Sequence, residues 1–222
     1  MEKKKIDFRL EAKSENGKAV VYLHGDIVDE RPTDWWTGEE KKGDFIIEKE
    51  VRTLFDGIKE DEIDIHINSY GGSVFASVGI FNFIRALNKK ITCYVDGVAA
   101  SGASLIAMAG DKLIMPANTM LMIHRASSFA WGNCKDLREV ADVLEKLDNS
   151  TVLETYKAKF KGTDEELMAL IDNETWISAR EALENGLCDE VIELKKEEPE
   201  VTEKEIKNAA RMMTAFASLK FS

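Results

Sequence analysis

The stretch EIDIHINSYGGSVFASVGIFNFIRALNKKITCYVDG, residues 62–97, decides the fold. Its first seven residues alternate apolar and polar, the period of a half-buried strand. SVFASVGIFNFIRALNK (73–89) has the length and apolar content of a helix, and ITCYVDG (91–97) is again strand-like, rich in β-branched and aromatic residues. Two strands joined through one helix make a parallel βαβ unit with a right-handed crossover.

The same rhythm continues on both sides. AVVYLHGDI (19–27) predicts a buried strand ending in a turn. Ile47, Val51, Leu54, Phe55 and Ile58 recur at helical spacing over 45–58. RPTDWWTGEEKKGD (31–44), with Pro, Gly, charges and the pair Trp35-Trp36, predicts a loop or flap. A helix is expected from about 101 and short strands in KLIMPA and TMLMIHR (112–125). Leu137, Val140, Ala141, Leu144, Leu147, Leu153, Tyr156 and Phe160 mark one long amphipathic helix, a form that often packs on a partner subunit. TDEELMALID (163–172) and SAREALENG (178–186) each carry a capping-box signature, and DEVIEL (189–194) predicts a closing strand. The class is therefore α/β, parallel strands covered by helices. The expected organisation is an N-terminal segment 1–16, one domain over 17–194, and a charged linker with a helical tail over 195–222.

Composition narrows the function. Lys and Arg number 30 against 41 Asp and Glu, a net charge of −11 that repels phosphate backbones and anionic lipid, so neither nucleic acid nor membrane is an expected partner. No apolar stretch approaches the ~18–20 residues of a membrane helix, and IDFRLEAKSE stands where an export signal would need an apolar core. The three cysteines are widely spaced, with no CxxC pair, which fits a reducing cytoplasm. No cluster has metal-ligand spacing and no phosphate loop occurs, so no metal or cofactor is expected.

Three Gly-containing turns, at 68–73, 96–102 and 122–133, each follow a strand, and the carboxyl ends of parallel strands are where ligand crevices form. Ser101 opens a helix, the place of an ordinary N-cap, yet the same position suits a nucleophile flanked by the small residues Ala99, Ala100, Gly102 and Ala103. Ser104, a turn further in, suits packing or a bond back to the preceding turn. The N–H groups of Gly72 and Gly102 would make a two-donor oxyanion hole. His24 and His66 lie in strands as structural histidines. His124 ends a strand before a polar loop and is a general-base candidate. Asp172 and Glu174 are the carboxylates that could orient it.

INSYGGSVFASVGIFNFI, VDGVAASGASLIAMAG, MLMIHRASS and ETWISAREALENGLCDEVI, in that order and spacing, resemble the Clp protease proteolytic-subunit family over about residues 17–194. DWW at 34–36, AMAGD and ETW look most like its phage and prophage branch of head-maturation proteases. The resemblance implies Ser101 as nucleophile, His124 as general base, Gly72 and Gly102 as oxyanion donors, and Glu174 where housekeeping members carry an aspartate, with Asp172 as the alternative. It implies a crotonase-like spiral of strand-strand-helix units, a handle helix over about 134–160, and seven-membered homo-oligomeric rings enclosing the sites. Housekeeping members work with a Clp ATPase unfoldase; MEKKKIDF differs from their apolar N-terminal loop. A crotonase-type acyl-CoA enzyme, a signal-peptide-peptidase-like Ser/Lys enzyme and an inactive ring scaffold are the rival readings.

Overall fold

The structure is a computed structural model that describes residues 11–15 and 17–194. The Lys3–Lys5 run, the 195–200 linker and the tail expected to be helical lie outside the described residues. Along the chain run β1 (Glu11–Glu15), β2 (Lys18–His24), β3 (Asp26–Val28), β4 (Phe45–Ile47), α1 (Glu48–Asp56), β5 (Glu62–Ser69), α2 (Val74–Ala86) and β6 (Lys90–Ala100). Then come α3 (Gly102–Ala107), β7 (Lys112–Pro116), β8 (Met120–Ile123), α4 (Cys134–Leu147), a π-turn (Asp148–Val152), α5 (Leu153–Lys157), α6 (Asp164–Asp172), β9 (Thr175–Ser178), α7 (Ala179–Glu184) and β10 (Glu190–Ile192).

The main sheet has the order β1-β2-β5-β6-β7-β10, and from β2 to β10 every pairing is parallel. β6 is long enough to serve two neighbours. Its first half pairs with β7, whereas Val98, Ala99 and Ala100 pair with Met120, Leu121 and Met122 of β8, which in turn carries β9 antiparallel. The sheet therefore splits along β6, whose carboxyl end leads directly into Ser101.

Alternation decides which face is buried. Val21, Leu23, Ile63, Ile65, Ile67, Cys93 and Val95 form the core with the helices. On the opposite face Tyr22, His66 and Tyr94 are cross-strand neighbours and stay partly exposed. His66 stacks between the two tyrosines at centroid distances of 5.1 and 4.8 Å. Asp96 accepts hydrogen bonds from His24 Nε2 at 3.1 Å and His66 Nδ1 at 2.7 Å, so both strand histidines are satisfied structurally.

Four expectations change. The single strand over 19–27 is two strands in different sheets, because the chain bends at Gly25. That residue has φ +114°, and a Cβ there would stand 2.1 Å from the Asp44 carbonyl oxygen. The helix expected from 45 begins at Glu48, since Phe45–Ile47 pairs with β3. Glu11–Glu15 pairs with β2 through a turn at Gly17, so the sheet starts upstream of residue 17. Finally, the chain adds strand β9 over Thr175–Ser178, for which no element was predicted.

The long helix over 134–160 is present with an irregularity: α4, the π-turn and α5 follow without a break. No α4 residue is buried, and Leu137 and Val143 are exposed. Trp35 and Trp36 stand exposed in the loop after β3, edge to face at 5.2 Å.

Candidate active site

Ser101 is the single residue between β6 and α3. Its φ of 53° and ψ of −126° are sparsely populated for a residue with a Cβ, a conformation that costs about 1–3 kcal/mol and persists only where the surroundings impose it. What imposes it is visible on both sides. The Ser101 N–H donates to Met122 O at 2.8 Å, tying the turn to β8. Gly71, at φ +95°, packs so closely that a Cβ there would lie 2.6 Å from Ala100 O and 2.8 Å from the Ser101 Cβ.

The parallel register Ala100↔Met122 carries both strands to the same edge, where Ser101 and His124 emerge side by side. His124 Nε2 and Ser101 Oγ are 2.7 Å apart. If the hydroxyl donates, the imidazole proton resides on Nδ1, the tautomer a general base needs.

Gly72 and Gly102 meet above this pair. Gly72 has φ +145°, and a Cβ on it would stand 1.9 Å from Ile27 O. A Cβ on Gly102 would stand 2.2 Å from Ser77 Oγ and 3.6 Å from the Gly72 nitrogen, so the two backbones are adjacent. Neither N–H has a hydrogen-bond acceptor among the described residues. Two such donors at a helix start are suited to an oxyanion.

Beneath the site Ser104 is fully buried. Its hydroxyl contacts Ser101 O at 2.5 Å, Met122 O at 3.1 Å and the Tyr156 hydroxyl at 2.7 Å. Burial pushes the Tyr156 phenol up, against the opposing effect of its bond to Ser104, so the phenol stays neutral. Ser104 is therefore structural, the bond back to the preceding turn that its position suggested.

The cleft above Ser101 has a volume of about 760 Å³. Gly72, Ser101 and His124 line one wall, and Val140, Leu144 and Leu147 of the long helix line the other. An apolar wall facing a polar one suits an extended peptide with a hydrophobic side chain.

Neither expected carboxylate is hydrogen-bonded to His124 among the described residues. Asp172 Oδ1 instead accepts from Arg125 Nε at 2.7 Å. Glu174 has φ 48°, in the turn between α6 and β9, and the antiparallel pair Ile123↔Thr175 would place it opposite His124 if the ladder ran one residue further. Sequence reasoning missed Asp148, a buried carboxylate that accepts from Ala126 N–H at 2.7 Å and Arg125 Nη1 at 3.0 Å. A signal was available: Asp148 lies four residues after Leu144, on the apolar stripe of the helix.

With this geometry, comparison with known proteins is decisive. The Clp protease family profile, described as "Clp protease", matches residues 45–195. The chain belongs to the Clp protease family. It is 33% identical over 141 residues to an ATP-dependent Clp protease proteolytic subunit of Deinococcus radiodurans, covering 62% of this chain and 68% of that one. The proteins of the same name from Bacteroides fragilis and Bacteroides thetaiotaomicron are 35% and 34% identical, covering 59% of this chain each and 64% and 60% of theirs. The chain thus spans about two thirds of the length of these Clp relatives. The matched region contains Gly72, Ser101, Gly102, His124, Asp148, Asp172 and Glu174. Among the described residues of this Clp family member, no helix is long and apolar enough to cross a membrane.

Proposed function

We propose that the chain is a serine endopeptidase of the Clp type. The observation that carries the reading is the 2.7 Å contact between Ser101 Oγ and His124 Nε2, close to two N–H groups that have no acceptor among the described residues. Ser101 Oγ attacks the scissile carbonyl carbon while His124 Nε2 takes the hydroxyl proton. The carbonyl oxygen becomes an oxyanion held by the Gly72 and Gly102 N–H groups. Collapse breaks the C–N bond as His124 protonates the leaving amine, and water attacks the acyl-Ser101 ester by the same sequence in reverse, restoring the serine. Glu174 is the candidate orienting carboxylate, with Asp172 as the alternative; the β8–β9 register, which ends one residue short of pairing Glu174 with His124, favours Glu174, and no hydrogen bond joins it to His124 among the described residues. In a hydratase of the crotonase type a serine bonded to a histidine would have no role.

Assembly and setting belong to the same reading. The exposed apolar face of α4 supports a homo-oligomer, taken to be a seven-membered ring, single or stacked, with the sites inside. A Clp ATPase unfoldase is a candidate partner, cytoplasm the expected compartment, and phage head maturation a candidate role through the branch resemblance. The inactive-scaffold reading draws on one observation, that neither Asp172 nor Glu174 is hydrogen-bonded to His124 among the described residues.

The test is a fluorophosphonate probe, which phosphorylates an activated serine. Wild type is expected to label, Ser101→Ala not at all, and His124→Ala at a rate lower by about 10⁶. No label on wild type, or label surviving Ser101→Ala, would overturn the peptidase reading. Sedimentation of the same samples tests the ring, which a clean monomer would contradict.

A further inference from the structure

Within the peptidase reading, nothing so far accounts for how His124 is held against Ser101. The imidazole has no hydrogen bond other than that to Ser101 among the described residues. The residues that follow it, in contrast, are fastened tightly. Ala126 N–H and the Arg125 guanidinium both bond the buried Asp148 carboxylate, and Arg125 also bonds Asp172 at the end of α6. Asp148 opens the π-turn, the kind of helix irregularity frequent at functional sites. Beyond that turn Tyr156 bonds Ser104, whose hydroxyl also contacts the carbonyl oxygens of Ser101 and Met122. One helix thus fastens the chain on both sides of the Ser101–His124 contact, Asp148 just after the histidine and Tyr156 just under the serine.

We propose that Asp148 is a positioning residue for His124, acting through the Ala126 N–H and the Arg125 guanidinium to set the backbone from which the imidazole reaches Ser101. A carboxylate suits this place because it accepts from a backbone N–H and a guanidinium at once, and burial makes both bonds strong. The residue touches no reacting atom. Its effect lies in the 2.7 Å contact, since a displacement on the order of 1 Å at such a contact costs about 10²-fold in rate.

The experiment measures fluorophosphonate labelling of folded protein, separating the maximal labelling rate from the probe concentration giving half that rate, for wild type, Asp148→Ala, Asp148→Asn and Arg125→Gln. Asp148→Ala is expected to lower the maximal rate about 100-fold with the half-saturating concentration unchanged. Asp148→Asn keeps an acceptor for Ala126 and should recover part of the loss. Arg125→Gln, at a half-exposed side chain that tolerates change, should lower the rate about tenfold and keeps the test open if Asp148→Ala does not fold. A maximal rate equal to wild type in either folded Asp148 variant, or in Arg125→Gln, would overturn the proposal, as would a change confined to the half-saturating concentration. A labelled wild type with unaffected variants refutes the positioning role alone, whereas an unlabelled wild type removes the peptidase reading and this inference together.

Discussion

Gly102→Ala puts one methyl into a tight contact of the site. The added carbon would lie 2.2 Å from Ser77 Oγ and 3.1 Å from Ser77 Cβ, against an ordinary separation of about 3.5–4.0 Å. Ser77 cannot swing aside easily: it is fully buried, and its hydroxyl donates to Ser73 O at 2.7 Å. α3 must therefore move off α2, at the cost of overpacking, about 1–3 kcal/mol. For a chain of this size each 1 kcal/mol lowers Tm by about 2–4 °C. The Gly102 N–H moves with the helix, so labelling of Ser101 should fall about 10²–10³-fold, the loss typical of one oxyanion donor. Ser77→Ala removes the oxygen responsible for the shorter contact. By itself it forfeits one hydrogen bond, about 1 kcal/mol. Combined with Gly102→Ala it should restore stability, giving a coupling of about 1–2 kcal/mol in a double-mutant cycle by urea denaturation. Additive costs in that cycle, or a Gly102→Ala protein as stable as wild type, would refute the argument that glycine is required here by the approach of α2.

Glu174→Gln should lower labelling less than tenfold, because no bond joins that carboxylate to His124 among the described residues. A loss on the order of 10⁴ would mean that it closes on Nδ1 in the working enzyme. Asp96 gives a pH prediction. Burial opposes its ionisation, yet the hydrogen bonds and charge of His24 and His66 outweigh this and bring the carboxyl from 3.8 to about 2. The folded state therefore releases this proton more readily than the unfolded chain, so the stabilisation is complete above the unfolded value and is lost as pH falls from about 4 to about 2. Thermal unfolding of Asp96→Asn against wild type should converge over that window; a gap independent of pH would contradict the assignment. Among the three thiols, Cys134 is exposed while Cys93 is buried with its pKa pushed up to about 12, and burial also raises that of Cys188. A thiol-reactive dye should titrate one cysteine quickly in the native protein and three after denaturation.

The sequence by itself determined the α/β class and the order of most elements, because each rests on a local period: EIDIHIN alternates, 73–89 does not, and the capping boxes at Thr163 and Ser178 lie within three residues of the groups they satisfy. It also singled out Ser101, His124, Gly72 and Gly102, through small residues at strand ends and the family resemblance. Tertiary structure alone decided what those residues do to one another. The 2.7 Å contact depends on β6 leaving β7 for β8, a pairing between segments some twenty residues apart that no local period encodes. The breaks at Gly25 and after Ile47 were hidden because two strands, or a strand and the start of a helix, can share one apolar run. Asp172 was a plausible partner for His124 until Arg125 took it, and Asp148, which sequence reasoning missed, is buried at the start of the π-turn. A carboxylate's partner is fixed by which groups folding brings within about 3 Å of it, and that is a property of the packed chain rather than of its neighbours in sequence.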